Sequence, residues 1–168
     1  MKKSVFYSVL LGELLLLAGC MMYFYPLLPS TMAIHFGGDG QPNGWQAKES
    51  FYGFYALLVL GLSGLFLLLG TIMPKMPVSL INMPNKEYWF APERAKASFG
   101  ILTGFFERMT CALVLFLGLI FADTCFSNLQ ADVHLNSLTF FPLMAVFLGF
   151  LFWNVVWLLR QFNLMSSH

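Results

Sequence analysis

The stretch MAIHFGGDGQPNGWQAKESF, residues 32–51, decides how the chain must be read. It is polar and rich in glycine, and it separates two apolar runs. Residues 5–25 precede it and stop at Pro26, and residues 51–73 follow it and stop at Pro74. Each run is close to the roughly 20 helical residues that cross a hydrocarbon core about 30 Å thick. A polar reversal between two such runs lets a chain cross a bilayer, turn in water and cross back. Two further runs, residues 100–126 and 140–159, have the same character. Pro142 falls near the start of the last, where its missing amide costs little. The expected fold is all-α: a four-helix transmembrane bundle forming one domain over residues 1–168, with a structured hairpin between helices 1 and 2.

Composition points the same way. Of 168 residues, 58% are hydrophobic and only 10% charged, and the mean hydropathy is +0.72. A soluble domain carries about a quarter charged residues, so the solvent of the outer face is expected to be lipid. A net charge of +1 provides no electrostatic footprint for nucleic acid. Cys20, Cys111 and Cys125 lie in or beside apolar runs without paired spacing, as small hydrophobes rather than disulfide or zinc partners. Tyr7, Tyr23, Tyr25, Tyr52, Tyr55 and Trp157 collect near the ends of the runs, as in an interfacial belt. Gly100 with Gly104, and Ala145 with Gly149, have the spacing that lets helix backbones approach closely.

Orientation follows from the basic residues. Lys2 and Lys3 precede the first run, Lys75, Lys86, Arg94 and Lys96 lie between the second and third, and Arg160 follows the fourth. Lys48 alone lies between the first and second. The positive-inside rule therefore puts both termini and the middle loop in the cytoplasm, and the glycine-rich hairpin outside. LLLLAGC, residues 14–20, matches a lipoprotein cleavage site. Glu13 interrupts its apolar run and MMYFYPLL follows the cysteine, so a retained helix is expected.

Few residues offer chemistry. Glu13 lies inside the first run, where a carboxylate costs roughly 3 kcal/mol or more in hydrocarbon. It should face the bundle, with Arg108 as its natural partner and Asn154 as another; this expects one register-fixing pair, with a coupling group for transport as the alternative. Glu107 and Asp123, near opposite ends of the third run, are expected to reach water. In the hairpin, His35, Asp39, Trp45 and Lys48 are candidates for ligand recognition. His35 and Asp39 could hold a metal only if Asp132 and His134 of the second outer loop came close. DGQPNG faintly resembles a calcium loop, but Ser50 stands at its twelfth position instead of Glu. No nucleophile elbow, zinc-protease helix or phosphate loop is present, so a non-enzymatic role without a cofactor is expected.

Two composite motifs carry a resemblance. Pro29, His35, Gly40, Gly44, Trp45 and Lys48 form the first, and Asn82, Pro84, Asn85, Lys86, Tyr88, Trp89, Pro92, Glu93 and Arg94 the second. Together they resemble the bacterial membrane domain of unknown function at the N-terminus of SdpI-type toxin-immunity proteins. The resemblance implies a multi-pass protein of the bacterial inner membrane. It also implies protection against a secreted peptide toxin and, in one setting, membrane tethering of a transcriptional repressor. Four runs are present here, without the further C-terminal membrane region of full SdpI-type proteins. The expected partners are the lipid bilayer, an extracytoplasmic peptide or envelope ligand at the hairpin, and a cytosolic or membrane protein. Asn85, Lys86, Tyr88, Trp89, Glu93 and Arg94 are expected to meet headgroups or that partner. A small transporter or accessory subunit using Glu13 is the alternative, and a metal-assisted envelope enzyme the third reading.

Overall fold

The computed structural model describes residues 3–83 and 85–164; Lys2 and Pro84 lie outside the described residues. The chain is mostly helical. Helix α1 spans Lys3–Phe24, strands β1 and β2 span Thr31–Phe36 and Pro42–Ala47, and α2 spans Lys48–Ile72. Two single 3-10 turns and the short α3, Lys86–Trp89, lead to α4, Ala95–Asn128, and then α5, Ser137–Leu164. Four of these helices are long and apolar enough to cross a membrane, which marks a multi-pass membrane protein. They run longer than the apolar runs alone. Helix α4 begins five residues before Gly100, because Ala95, Lys96 and Ala97 are good helix formers and nothing breaks the chain after Pro92.

Helix α4 is the hub, and α1, α2 and α5 all pack on it. On one side, Phe6, Leu10, Leu17 and Phe24 of α1 meet Phe51, Tyr55 and Val59 of α2 and Val114, Phe121 and Cys125 of α4. Phe51 stacks on Phe121 with ring centroids 5.7 Å apart, and the Tyr55 hydroxyl donates to the Leu117 carbonyl at 2.5 Å. Helix α5 lies on another side of α4 through Phe147, stacked on Phe116 at 4.0 Å. The Asn136 side chain caps α5 by accepting the Leu138 amide at 3.0 Å. Close helix approach is not made by the two small-residue pairs: a Cβ built on Gly100 or Gly149 meets nothing within 4 Å. It occurs at Gly70, where such a Cβ would stand 3.5 Å from Phe106 Cβ and where Thr103 Oγ1 donates to the Gly70 carbonyl at 3.2 Å.

A second core closes the end of the bundle where α1 starts. The segment after α2 folds back, so that Ile81, Trp89 and Phe90 bury against Leu102 of α4 and Phe162 of α5. Trp89 meets Phe162 edge-to-face at 5.2 Å and is 2% exposed. The expectation that Trp89 would rest on headgroups or a partner is thereby corrected, since its ring is a core element with no free face. Asp123 is buried rather than watered, at 8% exposure, whereas Glu107 lines a cavity with Lys3 and Lys75.

Candidate functional site

At the opposite end, the hairpin is fastened to the bundle by polar anchors to backbone. β1 and β2 pair antiparallel, with Thr31 opposite Ala47 and Ala33 opposite Trp45. The Lys48 amide donates to the Ser30 carbonyl at 2.8 Å, which makes Ser30–Lys48 a hydrogen-bonded pair. Antiparallel pairs alternate, so at Ala33–Trp45 both residues turn their backbone groups away from each other. Those of Ala33 are taken by Asn128, the last residue of α4. Its Oδ1 accepts the Ala33 amide at 2.7 Å, and its Nδ2 donates to the Ala33 carbonyl at 2.8 Å. Asn128 thus imitates one residue of a third strand.

The turn is built from side chain and glycine together. The Gln41 amide donates to Asp39 Oδ1 at 3.0 Å, and Gly40 adopts a φ of +81°, which an L side chain rarely tolerates. His134 of the second loop packs on Gly40, its Nε2 2.7 Å from where a Cβ would sit. The Leu135 amide donates to the Gly40 carbonyl at 3.0 Å. At the hairpin base, Lys48 Nζ donates to the carbonyls of Tyr25 and Leu28 at 2.9 and 3.1 Å and lies 4.5 Å from the centre of the Tyr25 ring. It satisfies carbonyls of the turn that follows α1.

The four hairpin candidates therefore divide. Lys48 and Asp39 hold the backbone. His35, whose Nδ1 hydrogen-bonds Asn43 Oδ1, is exposed, and so is Trp45, at 53%. Gly44 makes room for His35, whose Cβ would stand 2.9 Å from a Gly44 Cβ. Ile34, His35 and Phe36 rim a groove of about 340 Å³ whose far wall is Thr124, Phe140 and Phe141. His35, Asp39, Asp132 and His134 do not converge as a metal set: among the described residues no three His, Cys, Asp or Glu side chains are placed to share an ion.

The second motif serves mainly as local scaffold. Asn85 takes a left-handed φ of 52° at the start of α3. Arg94 donates from Nε to the Tyr88 carbonyl at 2.9 Å, lies 3.9 Å over the Tyr88 ring and pairs with Glu93 at 2.9 Å. Lys86 Nζ reaches the Ser79 carbonyl at 3.3 Å, while Glu93 and Asn85 stay exposed. Within the bundle, the expected Glu13–Arg108 pair is replaced. Arg108 donates from Nε to Asn154 Oδ1 at 3.0 Å and stacks 4.0 Å over the Trp157 ring. No ion pair joins Arg108 to Glu13 among the described residues. Helix α5 supplies a neutral amide to Nε and an aromatic face to the guanidinium plane, in place of the carboxyl of α1.

Sequence reasoning missed Asn128 and Gly70. Asn128 carried a usable signal, a polar residue closing a long apolar helix, but its partner lies 95 residues away. Comparison with known families gives one match: a family model described as a domain of unknown function (DUF1648) covers residues 14–59. That segment holds the second half of α1, the whole hairpin and the first half of α2. It takes in the first composite motif and ends before the second. No curated protein and no solved structure matches the chain.

Proposed function

We propose that the chain is a non-enzymatic protein of a bacterial inner membrane that recognises an extracytoplasmic peptide on its hairpin, in the manner of SdpI-type immunity and signalling proteins. Both termini then lie in the cytoplasm with Lys3, Lys75 and Lys96. Depth along α4 is consistent with this. From Glu107, which shares a cavity with Lys3 and Lys75, to Asn128 the rise is about 31 Å, close to the thickness of the hydrocarbon core. The hairpin then stands at the outer surface and the second core at the inner one.

The observation that carries the reading is the open edge of β2. Among the described residues the sheet has two strands; Asn128 closes the edge of β1 at Ala33, whereas no described strand pairs with β2 on its far side. Both backbone groups of Trp45 and the amide of Ala47, the N-cap of α2, point outward there by the same alternation. An extended peptide could add as a third strand, with Trp45 as its aromatic anchor and the exposed His35, register partner of Gly44, on the neighbouring strand. A peptide fits this edge better than another envelope component, because main-chain hydrogen bonds are what an edge offers.

Ala47 provides a clean test. Its φ of −61° already suits proline, so Ala47→Pro removes one outward amide without disturbing the backbone. Cells expressing the wild type are challenged with secreted antibacterial peptides, and the peptide against which they are protected is titrated on purified protein. Ala47→Pro and the double variant His35→Ala/Trp45→Ala should each weaken binding at least tenfold while membrane insertion and melting temperature hold. Protection and affinity unchanged in both would refute the proposal. The transporter reading has one point in its favour, the unpartnered Glu13 Oε2, and no second acid shares its cavity.

A further inference from the structure

Helices α1 and α5 both rest on α4 and leave a cleft between them. It encloses about 380 Å³ and is lined by Val9 and Glu13 of α1, Arg108, Cys111 and Leu115 of α4, and Phe147 of α5, among others. That volume lies within the range of small-ligand sites. The rim residues Leu115, Leu119 and Val146 are exposed, Val146 at 73%, so the cleft opens sideways, toward the surface that lipid covers.

Its polar groups are few and ordered. Arg108 lies nearest the end where α1 starts. Its Nε is bound to Asn154, and its Nη2 is buried without a hydrogen-bond partner. One turn further along is Glu13, which shares a hydrogen bond with Cys111 and keeps Oε2 buried without a partner. Beyond them the lining is apolar, from Leu115 to Leu119 on α4 and from Leu143 to Phe150 on α5. From Arg108 to Leu119 the rise is about 16 Å, enough for one alkyl chain. A guanidinium edge seeks an oxyanion. The Glu13 oxygen accepts from a hydroxyl. The order required of an occupant is therefore an anionic oxygen, then a hydroxyl, then a single chain.

We propose that this cleft binds a monoacyl glycerophospholipid, with its phosphate on Arg108, its free glycerol hydroxyl on Glu13 and its acyl chain in the slot between α4 and α5. A diacyl phospholipid lacks the backbone hydroxyl between phosphate and acyl chain, its headgroup hydroxyls lying on the far side of the phosphate, and it brings a second chain. A free fatty acid has the anion and the chain but no hydroxyl between them. The site is separate from the hairpin, so either proposal can fail without the other.

The test is native mass spectrometry of the full chain with myristoyl lysophosphatidylglycerol, set against dimyristoyl phosphatidylglycerol and myristate. One equivalent of the monoacyl lipid should bind, at least tenfold tighter than either comparison lipid. Arg108→Gln and Glu13→Leu should each lower that affinity about tenfold. Val146→Trp, at an exposed rim position where folding is not at stake, should block occupancy. Equal binding of the diacyl lipid or of myristate would overturn the proposal, and so would undiminished occupancy in Val146→Trp. If Arg108→Gln or Glu13→Leu fails to fold, the rim variant and the lipid series decide alone.

Discussion

Replacing Asn128 with Ala should release the hairpin while leaving the bundle intact. The Asn128 amide makes three hydrogen bonds, to the amide and carbonyl of Ala33 at 2.7 and 2.8 Å and to the Thr124 carbonyl at 2.9 Å. Ala33 is fully buried, so water cannot take over without opening the structure. Each of its two backbone groups left unpaired costs about 1–2 kcal/mol, and the anchor as a whole is therefore worth about 2–4 kcal/mol. If hairpin amides exchange by local opening, that loss raises their exchange rate about 30- to 900-fold. Hydrogen–deuterium exchange on protein in nanodiscs would read this in residues 31–47, with amides near Val59 and Val114 as the unchanged reference. Asn128→Asp is the informative companion. It keeps the shape and the acceptor but puts oxygen where Nδ2 donated, so it should behave no better than alanine. Hairpin exchange at the wild-type rate in Asn128→Ala, with the melting temperature unmoved, would refute the anchor.

Trp89→Ala should cost about 3–5 kcal/mol, as large aromatic truncations in cores do. Thermal unfolding in detergent would measure it, and a melting temperature within a degree of wild type would return Trp89 to the surface role that its exposure denies. Gly40→Ala should destabilise the hairpin twice over, through the +81° φ and through the His134 ring. Adding His134→Ala relieves only the second. The double variant should therefore melt above Gly40→Ala and below the His134→Ala single variant, and strict additivity of the two changes would show that the contact carries no weight.

The membrane helices were legible because their signal is local. Twenty apolar residues bounded by Pro26 or Pro74 need no knowledge of the rest of the chain. The turn was legible for the same reason, since glycine, asparagine and proline declare backbone geometry one residue at a time. What stayed hidden was pairing. Glu13 and Arg108 are the two conspicuous charges of their helices, and charge alone matches them. The structure instead gives Arg108 an amide and an indole from α5, 46 residues and more downstream. Lys48 looked like a ligand-binding cation from its place in the hairpin, but the carbonyls that occupy it belong to the turn after α1. In both cases the residue was found and its partner was not, because a partner is a property of packing.

The two motif-bearing ends of the bundle illustrate how similar compositions reach opposite outcomes. Each mixes aromatic and basic residues with turn formers. At the end where α1 starts, the aromatics are consumed. Trp89 and Phe90 are core, Tyr88 lies under the Arg94 guanidinium, and the Ser98 hydroxyl holds the Trp89 carbonyl at 2.8 Å. What remains outward is Asn82, Asn85, Glu87, Pro92 and Glu93, none of them aromatic. At the hairpin end the anchors run the other way. Asn128, Lys48 and the Leu135 amide all bind backbone, so the strands are fixed while their side chains are spared. Trp45 and His35 then stand exposed on a pre-organised ribbon, which lowers the ordering entropy that a mobile loop would lose on binding. An aromatic residue held rigidly in the open contributes little to folding. Under the proposed function, its place on an anchored ribbon is that of a preformed contact for the peptide.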